Sequence, residues 1–302
     1  MRKYNNYKML AIVKIEGNNT HKDLQAFLSR QQFLPIFFFS PYTLNTYLTH
    51  SGKNLYIAAI DGQESLVMSR EKPKEIRFFF TNPSIAMKEA IFEHFKPIYS
   101  SVNEITVPPK EVVAVDKPEV ELFLPPIAEL ADKDIRKKYN QCRRKHPNLH
   151  FEQYDPIHIE KIRLFIEKWN IACGNKSDKF VNTKNDQHFF ELYNYNPEVI
   201  GGVIMDDNDI VGISFAVPSL NGSLISVINK CLRGYTELGV FTYVERSRFL
   251  CGKGFNRVYV GHVSNDFKKQ FLRDAIFHDI YSYELYKASN FKSSEWHLLN
   301  LF

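Results

Sequence analysis

Four cysteines in 302 residues, Cys142, Cys173, Cys231 and Cys251, share no Cys-x-x-Cys or Cys/His spacing, which argues against a zinc site. Each sits inside or at the edge of a predicted helix or strand, the expectation for reduced thiols in a cytoplasm. Long apolar runs are also missing. The stretch FLPIFFF, Phe33 to Phe39, is far short of the ~20 residues that a membrane helix needs. The opening MRKYNNYKML has charge with no apolar stretch behind it, so no signal peptide is expected. Other absences narrow the chemistry. Asp206-Asp207-Asn208-Asp209 is too short for a calcium loop and reads as a hairpin turn. Gly201-Gly202 precedes no helix with Lys-Ser/Thr, so it opens no phosphate loop. No G-x-S-x-G or Cys–His signature supports a covalent nucleophile. The net charge of +5 permits an anionic ligand without requiring nucleic acid.

What the chain does have is apolar mass. With 44% hydrophobic residues, 25 Phe and 16 Tyr, it can bury a large core and is long enough for two domains or one large one. YKMLAIVKI reads as a strand, HKDLQAFLSRQ as a helix, and LYIAAIDGQESLVMSR as a hairpin about the turn dipeptide Asp61-Gly62. EIRFFFT follows as a strand, and NPSIAMKEAIFEHFKP as a helix capped by Asn82, with Pro83 first and Pro97 as its stop. In DKDIRKKYNQCRRKHPN, Ile135, Tyr139 and Cys142 recur at helical spacing. Asp132 and Asp134 start this helix and Arg143, Arg144 and Lys145 end it, matching the macrodipole. It reads either as a solvated connector or as a grip for nucleic acid.

Beyond it, HFEQYD reads as a strand, and PIHIEKIRLFIEKWNIAC and NDQHFFELYNY as helices. EVIGGVIMD, IVGISFAVP and LISVINKCL form a predicted meander, with turns at Asp206–Asp209 and Asn221-Gly222. TELGVFTYVERSRFLCGKG, RVYVGHV, NDFKKQFLRDA and IYSYELYKA then alternate helix and strand. A meander that passes into β-α-β-α-β predicts a mixed sheet with helices on it, in the α+β class.

That order over residues 150–290 resembles a GNAT-type acyltransferase domain. IRKKYNQCRRKHPNLHFEQYDPIHIEKIRLFIEKWN is similar to the segment joining two halves in the tandem-GNAT family related to the C-terminal domain of phosphatidylglycerol lysyltransferases (DUF2156-like). VINKCLRGYTELGVFTYVERSRFL resembles that family's strand-Lys-turn-helix stretch, with Lys230 and Gly234-Tyr235 in the matching places. The resemblance implies two GNAT-like domains, residues 1–130 and 131–302, with a connecting basic helix over 131–146. It implies a transferase that moves an acyl or aminoacyl group from acyl-CoA or aminoacyl-tRNA to an amine or hydroxyl of a small molecule, lipid or peptide. A binding module with catalysis lost, or a nucleic-acid binder using residues 136–146, are the alternatives. Where relatives carry an acidic stretch, this chain has HVSNDFKKQFLRD, so the acceptor does not carry over.

A strand end, short turn and helix start make an anion-binding arrangement, because the first helical N–H groups lack internal partners. Here Lys230 and Arg233 add charge, Gly234 admits a ligand to the backbone, and Thr236 is the expected N-cap. In GNAT domains the matching turn holds the donor's pyrophosphate, which extends the expected donor site to Tyr235 and Gly239 through the stretched signature R-G-Y-T-E-L-G. The alternative is a pair of surface charges at a strand exit. Acyl transfer also needs a base and an acid for the leaving group. His262, at a strand end where such sheets place ligands, is the candidate base. Tyr281 and Tyr283 are candidates for protonating the leaving group; core packing competes for both. Asn229 and Asn265 are the candidate substrate contacts, although Asn265 also suits a helix N-cap. No metal is expected.

Overall fold

Asp61 and Gly62 both adopt positive φ, 50° and 77°, the pair of left-handed residues that a tight type I′ hairpin requires. They join β2 (Asn54–Ile60) to β3 (Gln63–Arg70) in antiparallel register. The computed structural model describes residues 11–15, 20–30, 54–70, 75–79, 85–95, 99–105, 114–173, 199–218, 223–262 and 266–285. The helix expected at NDQHFFELYNY, the turn at Asn221-Gly222, and the residues Asn82, Pro83, Pro97 and Asn265 lie outside these.

The chain divides into two compact units, Met1–Pro118 with His278–Phe302, and Glu119–Phe277. In the first, β1 (Ala11–Ile15) pairs with β2, and β3 with β4 (Glu75–Phe79), all antiparallel. A helix precedes β2 and another follows β4: α1 (Thr20–Ser29) and α2 (Ile85–Phe95). Strand β5 (Tyr99–Ile105) then returns parallel to β4. Met87 and Ile91 of α2 are buried with Ala58, Ile60 and Val67 of the hairpin, so this helix covers the sheet with a one-turn apolar spacing.

The second unit repeats the order. Helices α3 (Pro125–Ala128) and α4 (Lys133–Lys145) lead to β7 (His150–Gln153), and α5 (Ile159–Cys173) follows. The meander β8 (Ile200–Asp206), β9 (Asp209–Pro218) and β10 (Leu224–Cys231) passes through α6 (Leu238–Gly252) into β11 (Arg257–His262). Both units are therefore mixed sheets with helices packed on them, and in both the one parallel pair described is joined through a helix.

Two strands pair away from the half that a simple head-to-tail division of the chain would assign them to. Strand β6 (Ala114–Phe123), which follows β5, pairs its residues Glu119–Phe123 with β11. After α7 (Asp266–Lys269), β12 (Ile276–Leu285) pairs with β5 through Ile280–Leu285.

Helix α4 shows the local logic well. The Asp132 carboxylate accepts from the backbone N–H of Asp134 and Ile135, and Ile135, Tyr139 and Cys142 are buried. In α6, nine residues are buried, among them Val240, Phe241, Val244 and Leu250, so this helix forms the unit's core rather than its surface. Gly201 and Gly202 lie in β8 and not in a ligand loop. A Cβ on Gly202 would stand 2.1 Å from the Glu152 carbonyl oxygen of β7. Replacing Gly202 with Val is expected to cost at least the ~1–3 kcal/mol of overpacking. Gly252→Ala, where an added Cβ meets nothing within 4 Å, should instead stabilise by up to about 1 kcal/mol. Urea midpoints at unchanged m-value check both.

Candidate functional site

Strands β10 and β11 run parallel but are in register only at Leu224–Val258 and Ile225–Tyr259. Beyond that the two strands part. A register shift against β9 between Ser226 and Ile228 bends β10 where the parting begins, and β11 has its own shift against β6 between Tyr259 and Gly261. The parallel pair of the first unit, by contrast, stays in register over five pairs, Glu75–Tyr99 to Phe79–Asn103. Backbone groups released by such a parting need new partners. Beside the parting lies a pocket of about 670 Å³, lined on β10 by Ser226 to Cys231 and on β11 by Val260. That is the size of a small-molecule site.

Trp169, Arg233, Gly239, Tyr243, Phe267 and Lys268 complete the wall. Asn229 lines it with a buried Oδ1 that has no hydrogen-bond partner among the described residues. Lys230 Nζ lies 3.6 Å from the centroid of the Trp169 ring, whose Nε1–H donates to the Cys231 carbonyl at 3.1 Å. A cation so placed is steadied by the ring quadrupole, and the indole of α5 is held against β10. A Cβ on Gly239 would come 2.8 Å from Phe267 Cζ, so this glycine lets α6 and the Phe267 ring meet at the pocket.

The turn between β10 and α6 differs from expectation in one respect. The N-cap is Glu237, in left-handed conformation at φ 58°, and its side chain makes no capping bond. Thr236 is not the cap. Its backbone N–H donates to His146 Nε2 at 3.3 Å, and its hydroxyl accepts from Lys145 Nζ at 3.3 Å. The last turn of α4 therefore holds this loop in place, and the first N–H groups of α6 have no side-chain cap. Tyr235 is an anchor too: its ring lies 4.9 Å from that of His146, and its hydroxyl donates to Asp206 Oδ2 at 3.0 Å. Gly234 has φ 99°, and a Cβ there meets nothing within 4 Å, so the turn needs it for backbone conformation.

Deeper along α6, Gly239, Tyr243 and Arg246 follow one another down one face. Arg246 is fully buried. Its Nη1 donates to Ser226 Oγ at 2.8 Å, and its guanidinium lies 4.5 Å from the Tyr243 ring centroid. Burial pulls its pKa down. Lys268 donates to the Val260 carbonyl at 2.9 Å, and its pKa is lowered by burial first and by the Arg246 charge second. Cys231 lines the pocket, but burial pushes its thiol up to about 11. It is protonated near neutral pH and is no thiolate nucleophile.

The structure thus gathers Asn229, Lys230, Arg233 and Gly239 at one pocket, with Gly234, Tyr235 and Thr236 shaping the turn beside it. His262 ends β11, with backbone register to Glu119. Tyr281 and Tyr283 lie on β12, opposite Glu104 and Val102 in the first unit's sheet. The side chains of these three, and Asn265 entirely, lie outside the described residues. Trp169, Ser226, Tyr243, Arg246 and Lys268 escaped the sequence reading. One signal was present for Arg246: a charged residue three positions after Tyr243 and four before Leu250, inside an apolar stripe. Among the described residues no group of three His, Cys, Asp or Glu is placed to hold a metal.

No family model matches the chain, and no curated protein matches it in sequence. Solved structures do match in shape. A conserved protein of unknown function from Bacteroides thetaiotaomicron VPI-5482 superposes with TM-score 0.72 at 13% identity, covering 92% of this chain and 100% of that one. The C-terminal domain (DUF2156) of a protein named a lysylphosphatidylglycerol synthetase, from Agrobacterium fabrum, gives 0.58 at 9% identity over 94% and 96%. A tandem GNAT protein from the clavulanic acid biosynthesis pathway gives 0.50 at 8% identity over 91% and 98%. The fold is a tandem GNAT fold. In it the pocket lies where the parallel strands of the second GNAT unit part.

The Tyr235 anchor has a pH signature. Burial, followed by the bond to Asp206 and that residue's charge, pushes the phenol up to about 12 from its ordinary 10.0. A raised folded-state pKa means that the contribution is fully present below pH ~10 and fades as pH climbs through ~12. Tyr235→Phe should therefore lower stability at pH 8 and flatten its decline above pH 10, as denaturant midpoints across that range will show.

Proposed function

We propose that the protein is an acyltransferase whose donor is an acyl-CoA, bound in the β10–β11 opening of the second unit. The observation that carries this reading is the parting of a parallel pair after two residues, beside a helix start without a side-chain cap. A coenzyme A arm bears amides that the released strand edge and the unpaired Asn229 Oδ1 suit. Its phosphates suit the first N–H groups of α6, Arg233 and Lys230. The transferase fold of the neighbours supports the class of reaction. In that reaction the acceptor nitrogen or oxygen attacks the acyl carbonyl carbon, the new bond forms, the carbon–sulfur bond breaks, and a proton passes from nucleophile to leaving thiolate. His262, at the open end of β11, is the proposed base. Such a donor places the work in a cytoplasm. No helix among the described residues is long and apolar enough to cross a membrane.

A second reading, with aminoacyl-tRNA as donor, has an observation of its own. The exposed cations Arg143, Arg144 and Lys145 end a helix that touches the Thr236 turn directly, so positive charge continues from α4 to the pocket mouth. A polyanion held there loses affinity steeply with salt through counterion release.

Calorimetric titration of coenzyme A and of charged tRNA separates the two. Coenzyme A should bind wild type, and Arg233→Ala should weaken it about tenfold to a hundredfold, the equivalent of a charge-assisted contact of ~1.5–3 kcal/mol. Gly234 is a poor probe, since its φ of 99° strains any substitute. If tRNA is the donor, coenzyme A will not bind, and neutralising Arg143, Arg144 and Lys145 together will flatten the salt slope of tRNA. Should neither ligand bind, the donor reading of this pocket is wrong.

A further inference from the structure

The guanidinium of Arg246 is fully buried, yet its Nε and Nη2 have no hydrogen-bond partner among the described residues. An arginine does not shed its proton to escape burial. A charge kept under these conditions is costly unless something pairs it. The two unpaired groups share one edge of the guanidinium, and elsewhere in the chain that edge shows its complement. Arg30 uses its own Nε and Nη2 to grip the two oxygens of Glu64 at 2.9 and 3.1 Å.

Position points the same way. Ser226 and Tyr243, both in contact with Arg246, line the pocket, and so does Lys268. Since β10 and β11 remain paired up to Ile225 and Tyr259, Ser226 marks the inner end of the opening, away from Arg233 and the start of α6. Lys268, bonded to the Val260 carbonyl, lines the pocket there, and Arg246 lies just behind the lining residues Ser226 and Tyr243 that it touches.

We propose that the inner end of the pocket is a carboxylate subsite, in which Arg246 takes an acidic group of the substrate along its Nε–Nη2 edge and Lys268 adds a second positive charge. The acid is carried either on the transferred acyl chain or on the acceptor. The first source rests on the acyl-CoA reading and the second does not. Ser226 and the Tyr243 ring orient the guanidinium. The bound carboxylate supplies a counter-charge to Arg246, for which no ion pair is found among the described residues.

Succinyl-CoA and butyryl-CoA differ only in ending in a carboxylate or a methyl group. Glutarate and glutaramide make the same comparison without coenzyme A. In calorimetric titrations, wild type should prefer the acidic member of at least one pair by about tenfold or more. Arg246→Met should abolish that preference, and Arg246→Lys should restore part of it. Lys268→Gln, a milder change, should reduce it. Without ligand, Arg246→Met should melt at the same temperature as wild type or higher, because it removes an uncompensated buried charge. A preference seen only within the coenzyme A pair assigns the acid to the acyl chain. One seen only with glutarate assigns it to the acceptor, and if coenzyme A itself fails to bind, the donor reading falls while the subsite stands. The proposal is overturned if wild type shows no acidic preference in either pair, or if the preference survives in Arg246→Met. It is overturned equally if Arg246→Met melts lower and binds every probe as wild type does, which would make Arg246 a purely structural cation.

Discussion

Two neighbouring parallel strands that stop pairing after two residues set the terms for everything around them. Strands β10 and β11 leave register beyond Ile225 and Tyr259, and backbone N–H and C=O groups left without a ladder must find other partners. The register shifts at Ser226–Ile228 and Tyr259–Gly261 hold the strands apart by bending each against its outer neighbour. Helix α6 closes the opening from one side. Its start is fastened through Tyr235 to Asp206 and through Thr236 to His146 and Lys145. A pocket made in this way has its rim tied to neighbouring elements and polar groups along its wall, the combination expected of a preorganised site.

The strand exchange explains how so open a pair survives in the core of the unit. Strand β11 is not an edge: β6 pairs with it from Phe123 to Glu119 on the side away from β10. With β9 ladder-bonded along β10, each parting strand is supported by one complete neighbour. The cost of the gap is thereby confined to the inner faces. Gly239 is a further accommodation, allowing Phe267 to approach α6 where a methyl group would collide.

Buried charge distinguishes this pocket from a simple apolar cleft. Arg246 and Lys268 both have pKa values lowered by burial, which states in energetic terms that the protein gives up stability to keep them there. Natural proteins commonly sacrifice stability at sites that act on ligands. Tyr139, Glu245 and Arg248 form a comparable cluster nearby on α4 and α6, but there each group has its partner, with Arg248 donating to both of the others.

Local patterns in the sequence determined much of this. The Asp61-Gly62 hairpin, the Asp132 cap and buried stripe of α4, and the strand-turn-helix around Lys230 and Arg233 are each encoded within a dozen residues, because turn dihedrals, caps and periodicity are short-range properties. Asn229, Lys230, Arg233 and Gly239, candidates from the sequence, line one pocket in the structure, whereas the cap expected for α6 fell one residue early, because His146 and Lys145 engage Thr236. Only the tertiary structure decided which of the two described parallel pairs opens, that β6 pairs with β11 and β12 with β5, and that Arg246 is dry. Those outcomes depend on pairing between strands far apart in the chain and on desolvation by neighbours from several elements. Neither leaves a periodic trace in the order of residues.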